Sequence, residues 1–384
     1  MIIVFYISLF VLFYIYIGYP VLLKIWSVVF NNEHMVDENY QPNVSLIIPA
    51  YNEEECIEAK LDNALSLEYP KEKLQIIVSS DNSSDRTAEI VKKYIIEHQN
   101  GINILFNDFK KRSGKMGVLN KSVSKATGEI LIFTDANAMY DAKAIHKMAR
   151  HFADSQVGCV CGAKIITHGK SQTAGGEGIY WKIEAKIKKW ESKISSCVGA
   201  DGAAYAIRKN LYPYPNDEML VMDDFVVSLS IIDKGYRCIF DPEIKAFEDS
   251  SVDILDEFRR KGRILAGALN VIIQLKRLLL PYKYKFFIQL WSHKILRWMT
   301  FVFLLLLFIS NVFLADLLYF KWILFLQSLF YIMSVIGFGC SVYNIKSKWF
   351  YIPFYFNFMA LSQMFGIIQL YNNAHKPAWE KLRR

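Results

Sequence analysis

The sequence predicts an α/β domain on a mainly parallel sheet, cytoplasmic and flanked by transmembrane helices. Three observations carry that prediction. Short β-branched runs alternate with helix-spaced segments between about residues 43 and 250. Apolar stretches long enough to cross a bilayer lie at both ends. The basic residues crowd the junction between the two kinds of segment.

Hydrophobic residues make up 53% of the 384 residues, and the excess sits at the ends. Ile2 to Leu23 carry no charged side chain, enough to cross a hydrocarbon core of roughly 30 Å. No basic residue precedes this stretch, as a secretory signal would require, so it is expected to stay in the membrane. Near the other end, Ile295 to Leu318, Trp322 to Val342 and Trp349 to Leu370 are each long enough to span. The last carries Pro353, Asn357 and Gln363, so a re-entrant or interfacial placement is open to it as well as a span, and the sequence does not single out which segment fails to cross. The predicted division is a transmembrane helix over 1–30, the α/β domain over 43–252, amphipathic interface helices over 253–294, a transmembrane region over 295–371 and a basic tail over 372–384.

Lys276, Arg277, Lys283, Lys285, Lys294 and Arg297 precede or open the second apolar region, which places the α/β domain in the cytoplasm of a multi-pass protein of the cell (inner or plasma) membrane. Four spans from an outside N-terminus would leave the basic tail "HKPAWEKLRR" outside, against the same rule, so one C-terminal segment is expected not to cross. The net charge of +8 suits membrane lipids; the basic residues follow the membrane-proximal segments and form no nucleic-acid recognition motif. Five of the six cysteines fall in the cytoplasmic region, where thiols stay reduced. Cys159 and Cys161 alternate along a strand without a second ligand pair, and read as core residues.

"NVSLIIPAYNEEECIEAKLDNAL" gives a strand, a turn at Pro49 and a helix through Ile57, Leu61 and Leu65. "LQIIVSSDNSSDRTAEIVKKYI" repeats the plan, with Ser84 or Asp85 capping its helix. "INILFND" is a third strand and "GKMGVLNKSVSKA" a helix; "EILIFTDANAMY" is a fourth strand, followed by a helix from Ala142 to Phe152. Such sheets bind ligands at the carboxyl ends of their strands, which gathers the polar turns "PAYNEE", "SDNSSD", "KRSGK" and "DANAM" in one crevice. Neither G-x-G-x-x-G nor a P-loop lysine pattern is present, which disfavours dinucleotide oxidoreductases and P-loop NTPases.

Asp135 and Asn137 present oxygen donors two residues apart just past a strand, the ligand type hard cations such as Mg²⁺ or Mn²⁺ prefer. Mg²⁺ takes few protein oxygens when a substrate diphosphate completes its shell. Helix capping is the alternative, but Asp141 is better placed for it. In "VMDDF" two adjacent carboxylates raise one another's pKa, which suits a base; capping by Asp223 is compatible with catalysis by Asp224.

"SLIIPAYNEEECI", "SSDNSSDRT", "KRSGKMGVLN", "FTDANAMY", "GADGAAYAIR", "VMDDF" and "EFRRKGRILAG" occur in this order. Together they resemble the inverting family 2 glycosyltransferases of GT-A fold, especially the membrane-embedded branch with hyaluronan, cellulose and poly-N-acetylglucosamine synthases. The resemblance runs from the first strand into the C-terminal helices. It implies that Tyr51 stacks on the nucleobase, Glu53 lies near the ribose, Asp81 hydrogen-bonds the base and Lys115 adds positive charge near the nucleotide sugar. Asp135 and Asn137 stand at the D-x-D metal site, with asparagine for the second aspartate and so a lower expected metal affinity. Asp224 matches the base and Asp223 its neighbour; Asp201 and Gly202 lie in the acceptor-side loop. Where processive synthases carry Q-x-x-R-W, this chain has Arg260, Arg263 and Ile264. Arg263 keeps the diphosphate contact and Arg260 adds charge, while the missing tryptophan argues against long-chain synthesis.

The resemblance therefore implies a membrane-bound transferase using a nucleotide-sugar donor, a UDP-sugar, with Mg²⁺ or Mn²⁺ and a lipid-linked or polysaccharide acceptor. The competing reading is a catalytically silent nucleotide-sugar-binding scaffold of a polysaccharide assembly complex. A helix stripe of Ile179, Ile183, Ile187, Trp190 and Ile194 is expected to pack against the core or the membrane surface.

Overall fold

The computed structural model describes residues 1–98, 101, 103–167, 172–217, 222–249, 254–343, 345 and 347–371. The basic tail 372–384, parts of the loop "NIKSKW" and the side chain of Ile179 lie outside the described residues.

Eight strands form one sheet: β1 (Val44–Ala50), β2 (Leu74–Asp81), β3 (Asn103–Phe109), β4 (Ile130–Phe133), β5 (Met139–Tyr140), β6 (Val157–Ile166), β7 (Tyr205–Arg208) and β8 (Arg237–Glu248). Their order is β3-β2-β1-β4-β7-β6-β8-β5. The first four pair in parallel, as the alternation of strands and helices predicts. Every residue of β1, β2 and β4 is buried, which is why these strands read as near-continuous apolar runs.

The second half of the sheet is mixed. β7 runs antiparallel to β4 and to β6, while β6 and β8 are parallel to one another. Reversing one central strand leaves β6 and β8 pointing the same way as β1 to β4. The carboxyl ends of those six strands and the amino end of β7 therefore meet along one rim.

The helices cover both faces and join the sheet to the apolar ends. The expected helix from Ala142 shortens to Ala144–Ala149 because β5 follows the "DAN" turn and joins the sheet edge beside β8. The N-cap of helix Thr87–Glu97 is Arg86 and not Ser84 or Asp85; Asp85, one residue earlier, accepts the Thr87 backbone N–H at 3.0 Å. The N-terminal helix Ile2–Val29 is interrupted by a wider π turn at Tyr14–Gly18, just before Pro20, whose ring supplies no N–H to the ladder. Its Tyr19 and Leu23 pack on Ile187 and Ile194, with Trp190 alongside, so much of the apolar stripe on helix Gln172–Ile194 meets this segment. Ile183 stands exposed, away from this contact.

Among the described residues, Ile2–Val29, Leu318–Val342 and Trp349–Tyr371 are long and apolar enough to cross a membrane. Pro281–Trp298 and Thr300–Phe313 do so only as a pair bent by 59°. The bent segment is thus the first of the three C-terminal ones, a choice the sequence had left open. Pro353 lies inside helix Lys348–Tyr371, and its carbonyl accepts the Asn357 side-chain amide at 3.0 Å.

Candidate active site

The turns after β1 and β2 are tied together by side chains. Asn52 and Asn82 take left-handed backbone conformations, with φ of 55° and 56°, which asparagine tolerates better than most residues. Asn52 accepts the Ser84 N–H at 2.8 Å, and Thr87 accepts the Glu53 N–H at 2.8 Å. Glu53 is thereby fixed on the cavity wall. Tyr51 stacks against the Arg112 guanidinium, 3.8 Å from ring centroid to cation. Asp81 is fully buried and accepts the Ser113 and Gly114 N–H groups at 2.7 and 2.9 Å. Its carboxylate thus tethers β2 to the start of helix Gly114–Lys125, and neither Tyr51 nor Asp81 lines the main cavity.

The turn after β4 carries Asp135 and Asn137, both on the cavity wall. Lys60 holds it from below. Its side chain is fully buried, and its ammonium donates to Thr134 at 2.9 Å and to the Ala138 carbonyl, gripping the turn on both sides. Burial pulls this lysine down to about 7, against the opposing fields of Asp135 and Glu248.

Lys115, on helix Gly114–Lys125, bridges Asp135 at 2.8 Å and Asp223 at 2.9 Å. Burial disfavours its charge, but the two carboxylates outweigh that and hold it above its ordinary value. Asp223 also accepts the Tyr205 hydroxyl at 3.0 Å. These bonds replace the capping expected of Asp223: helix Asp223–Asp233 has no side-chain cap, because the carboxylate turns inward to the buried lysine.

Asp224 faces the cavity with one oxygen accepting the Phe225 N–H at 2.8 Å. Burial first, then Asp223 and Asp201, push its carboxyl up to about 7. Gly202 lies between this group and the "DAN" turn. A methyl group there would sit 3.6 Å from Asp224 Oδ2 and 3.9 Å from Asp135 Oδ2. Asp201 spends part of its carboxylate on its own turn, accepting the Ala203 N–H at 3.1 Å.

Arg260 and Arg263 reach the same cavity from helix Ile254–Gln274. Arg260 is held by Glu257 through two contacts, at 2.7 and 2.8 Å. The cavity, about 340 Å³, thus brings together Glu53, Lys115, Asp135, Asn137, Asp201, Gly202, Asp223, Asp224, Arg260 and Arg263. Sequence reasoning passed over Lys164, Trp181, Glu248 and Trp298, and also Met359, Ser362 and Gln363 of the last apolar helix. Lys164 and Glu248 had one available signal, their place at the carboxyl ends of β6 and β8, but only once those strands are known to run with β1 to β4.

Asp135 and Asn137 supply a carboxylate and a carboxamide oxygen on one wall, a donor set that fits a hard divalent cation sharing a substrate diphosphate.

Residues 45–212 match the family described as Glycosyl transferase family 2. Poly-beta-1,6-N-acetyl-D-glucosamine synthase of Staphylococcus aureus (strain COL) is 28% identical over 246 residues, 58% of this chain and 57% of that protein. Probable glycosyltransferase YdaM of Bacillus subtilis (strain 168) is 26% identical over 242 residues, 61% of this chain and 57% of that protein. The chain therefore spans a little over half the length of these curated relatives. Among solved structures, the mannosyltransferase PcManGT of Pyrobaculum calidifontis, in complex with GDP-Man and Mn²⁺, superposes with a TM-score of 0.72 at 20% identity, covering 97% of this chain and all of that one. That likeness establishes the architecture; the family match runs from β1 to β7, while Asp223, Asp224, Glu248, Arg260 and Arg263 of the cavity lie beyond it. Residues 45–212 thus match a family 2 glycosyltransferase domain, and the chain is built on the GT-A fold.

Proposed function

We propose that the chain is a membrane-bound inverting enzyme that moves one sugar, or a few, from a nucleotide sugar to a lipid-linked or polysaccharide acceptor. The observation that carries this reading is the place of Asp224: a buried carboxyl, pushed up to about 7, that lines the same cavity as Asp135, with Gly202 in van der Waals range of both. A base near its working pH, facing a cation-type oxygen pair, suits a single displacement at an anomeric carbon.

In this reading Asp224 takes the proton of the acceptor hydroxyl as it attacks. Asp135 and Asn137 would hold Mg²⁺ or Mn²⁺, which supplies charge neutralisation for a departing diphosphate. Arg263 adds a cation to the same cavity from helix Ile254–Gln274. Lys115 orients both acidic segments by bridging Asp135 to Asp223. Tyr51 follows β1 and Asp81 ends β2 on the same rim; the nucleobase contacts that the family resemblance implies for them, and with them the choice of a UDP-sugar, rest on that resemblance, since both residues lie outside the cavity lining. PcManGT, by its description, binds GDP-Man and Mn²⁺, and the synthase relative is named for a polysaccharide. Met359, Ser362 and Gln363, from an apolar helix, also line the cavity, which favours an acceptor held in the membrane. The basic approach to that region favours a catalytic domain on the cytoplasmic face.

Incubating the purified full chain with labelled nucleotide sugars, cation and membrane lipid tests the proposal. Asp224→Asn is expected to bind the donor like the unaltered protein and to transfer nothing. Turnover retained by that variant removes the base from the mechanism; a product of many sugars removes the short-product reading.

A further inference from the structure

We propose that Glu248 and Lys164 form a sugar-hydroxyl subsite that selects the hexose carried by the donor. The inference rests on the reading of the cavity as a nucleotide-sugar site. Glu248 is the last residue of β8 and lies opposite Ile166 of the parallel strand β6, so Lys164 stands two residues back on the neighbouring strand. Both line the cavity with Asp135 and Asn137. Lys60, beneath the floor, lies in the fields of both Asp135 and Glu248, which puts Glu248 on the donor side.

Glu248 is 7% exposed and the Lys164 side chain 9%. The lysine donates to Oε2, whereas Oε1 is buried with no protein hydrogen-bond partner. Buried polar atoms are nearly always paired, and one left over on a cavity wall marks where a ligand donor fits. A second cation is a poor occupant, because the carboxylate is already neutralised and its ammonium partner would repel it. A hydroxyl suits it. Lys164 has N–H groups beyond the one given to Glu248, and its ammonium lies 5.6 Å from the Trp181 ring centroid. Acceptor and donor side by side match a vicinal diol: one hydroxyl donates to Oε1, and the neighbouring oxygen accepts from Nζ. Both residues sit on strands, so the pair is held with the rigidity that discrimination between epimers requires.

The test uses the full chain in lipid nanodiscs with Mn²⁺ and a panel of UDP- and GDP-hexoses epimeric at single carbons. Glu248→Gln is expected to weaken binding of the preferred donor by about tenfold to a hundredfold and to erase most of its preference over the epimers, since a buried polar site otherwise rejects the wrong pattern strongly. Binding of UDP or GDP alone is expected to stay unchanged. Preference retained in the variant overturns the subsite, and so does an equal loss for the nucleoside diphosphate, which would move Glu248 to the phosphate side. If the unaltered protein binds no nucleotide sugar better than the nucleoside diphosphate, the donor-site reading itself falls, and the inference with it. Should Glu248→Gln not fold, Lys164→Gln is expected to give the same signature, and its absence overturns the proposal.

Discussion

Asp224 ties activity to pH and stability in opposite directions. Its carboxyl, pushed up to about 7, holds a proton in the folded protein where the unfolded chain, near 3.8, has lost it. Between those values the folded state binds more protons, so this group's contribution to stability falls as pH rises. With Asp224 as the proposed base, transfer would need the deprotonated form, so kcat is expected to rise with pH through an inflection near 7. Asp224→Asn abolishes that rise; at pH 8 it is expected to raise the thermal midpoint by a few degrees over the unaltered protein, with the two converging near pH 4. Unfolding scans at both pH values check the sign. Gly202→Ala should keep the fold, because its methyl group would make ordinary contacts at 3.6 and 3.9 Å, yet lower kcat by filling the space between the two carboxylates. Equal midpoints with reduced turnover is the expected pair of results. Asp135, Asn137 and Asp224 were legible in the sequence because each sits in a local motif. Glu248 and Lys164 lie 84 positions apart and meet only through strand pairing, so no local pattern reveals them.

At the level of elements, β1 to β4 were legible because each is followed by a helix and a polar turn, the signature of a parallel crossover. The order β7-β6-β8 was not, since β7 is short and its pairing with β4 joins segments far apart in the chain. That unread reversal completes the site, because it brings the Asp201–Gly202 loop and the ends of β6 and β8 to the rim formed by β4. The "DAN" turn also depends on a helix on the far side of β1. Lys60 carries no catalytic signature in sequence, yet its ammonium is the clamp on Thr134 and Ala138. Lys60→Met is expected to leave the domain folded, since removing a buried amine offsets the lost hydrogen bonds. It should weaken activation by Mn²⁺ about tenfold, as loss of a residue supporting metal ligands generally does. Titrating Mn²⁺ against turnover after chelation measures this; an unchanged activation constant with unchanged midpoint would show that the turn holds itself.

The whole molecule couples the cavity to the apolar helices through one close crossing. Helix Ile254–Gln274, which carries Arg260 and Arg263, lies against Lys348–Tyr371 where Gly262 meets Gly366. A methyl group on Gly366 would come within 2.5 Å of the Gly262 carbonyl oxygen, and one on Gly262 within 2.8 Å of the Phe365 ring. Only small residues allow helix backbones to approach this closely. The spacing also sets how far the two arginines reach over the cavity, and it brings Met359, Ser362 and Gln363 to its edge. Gly366→Leu therefore has to push the helices apart. The sheet and the Lys115 bridge lie elsewhere, so nucleoside diphosphate binding is expected to persist. Transfer is expected to fall about tenfold or more, as misplacing reacting groups by about 1 Å can cost still more. Equilibrium binding of UDP and product formation, measured on the same nanodisc preparation, separate the two effects. Undiminished transfer would mean that the crossing does not set the arginines' reach, and that the apolar helix anchors the enzyme without shaping its site.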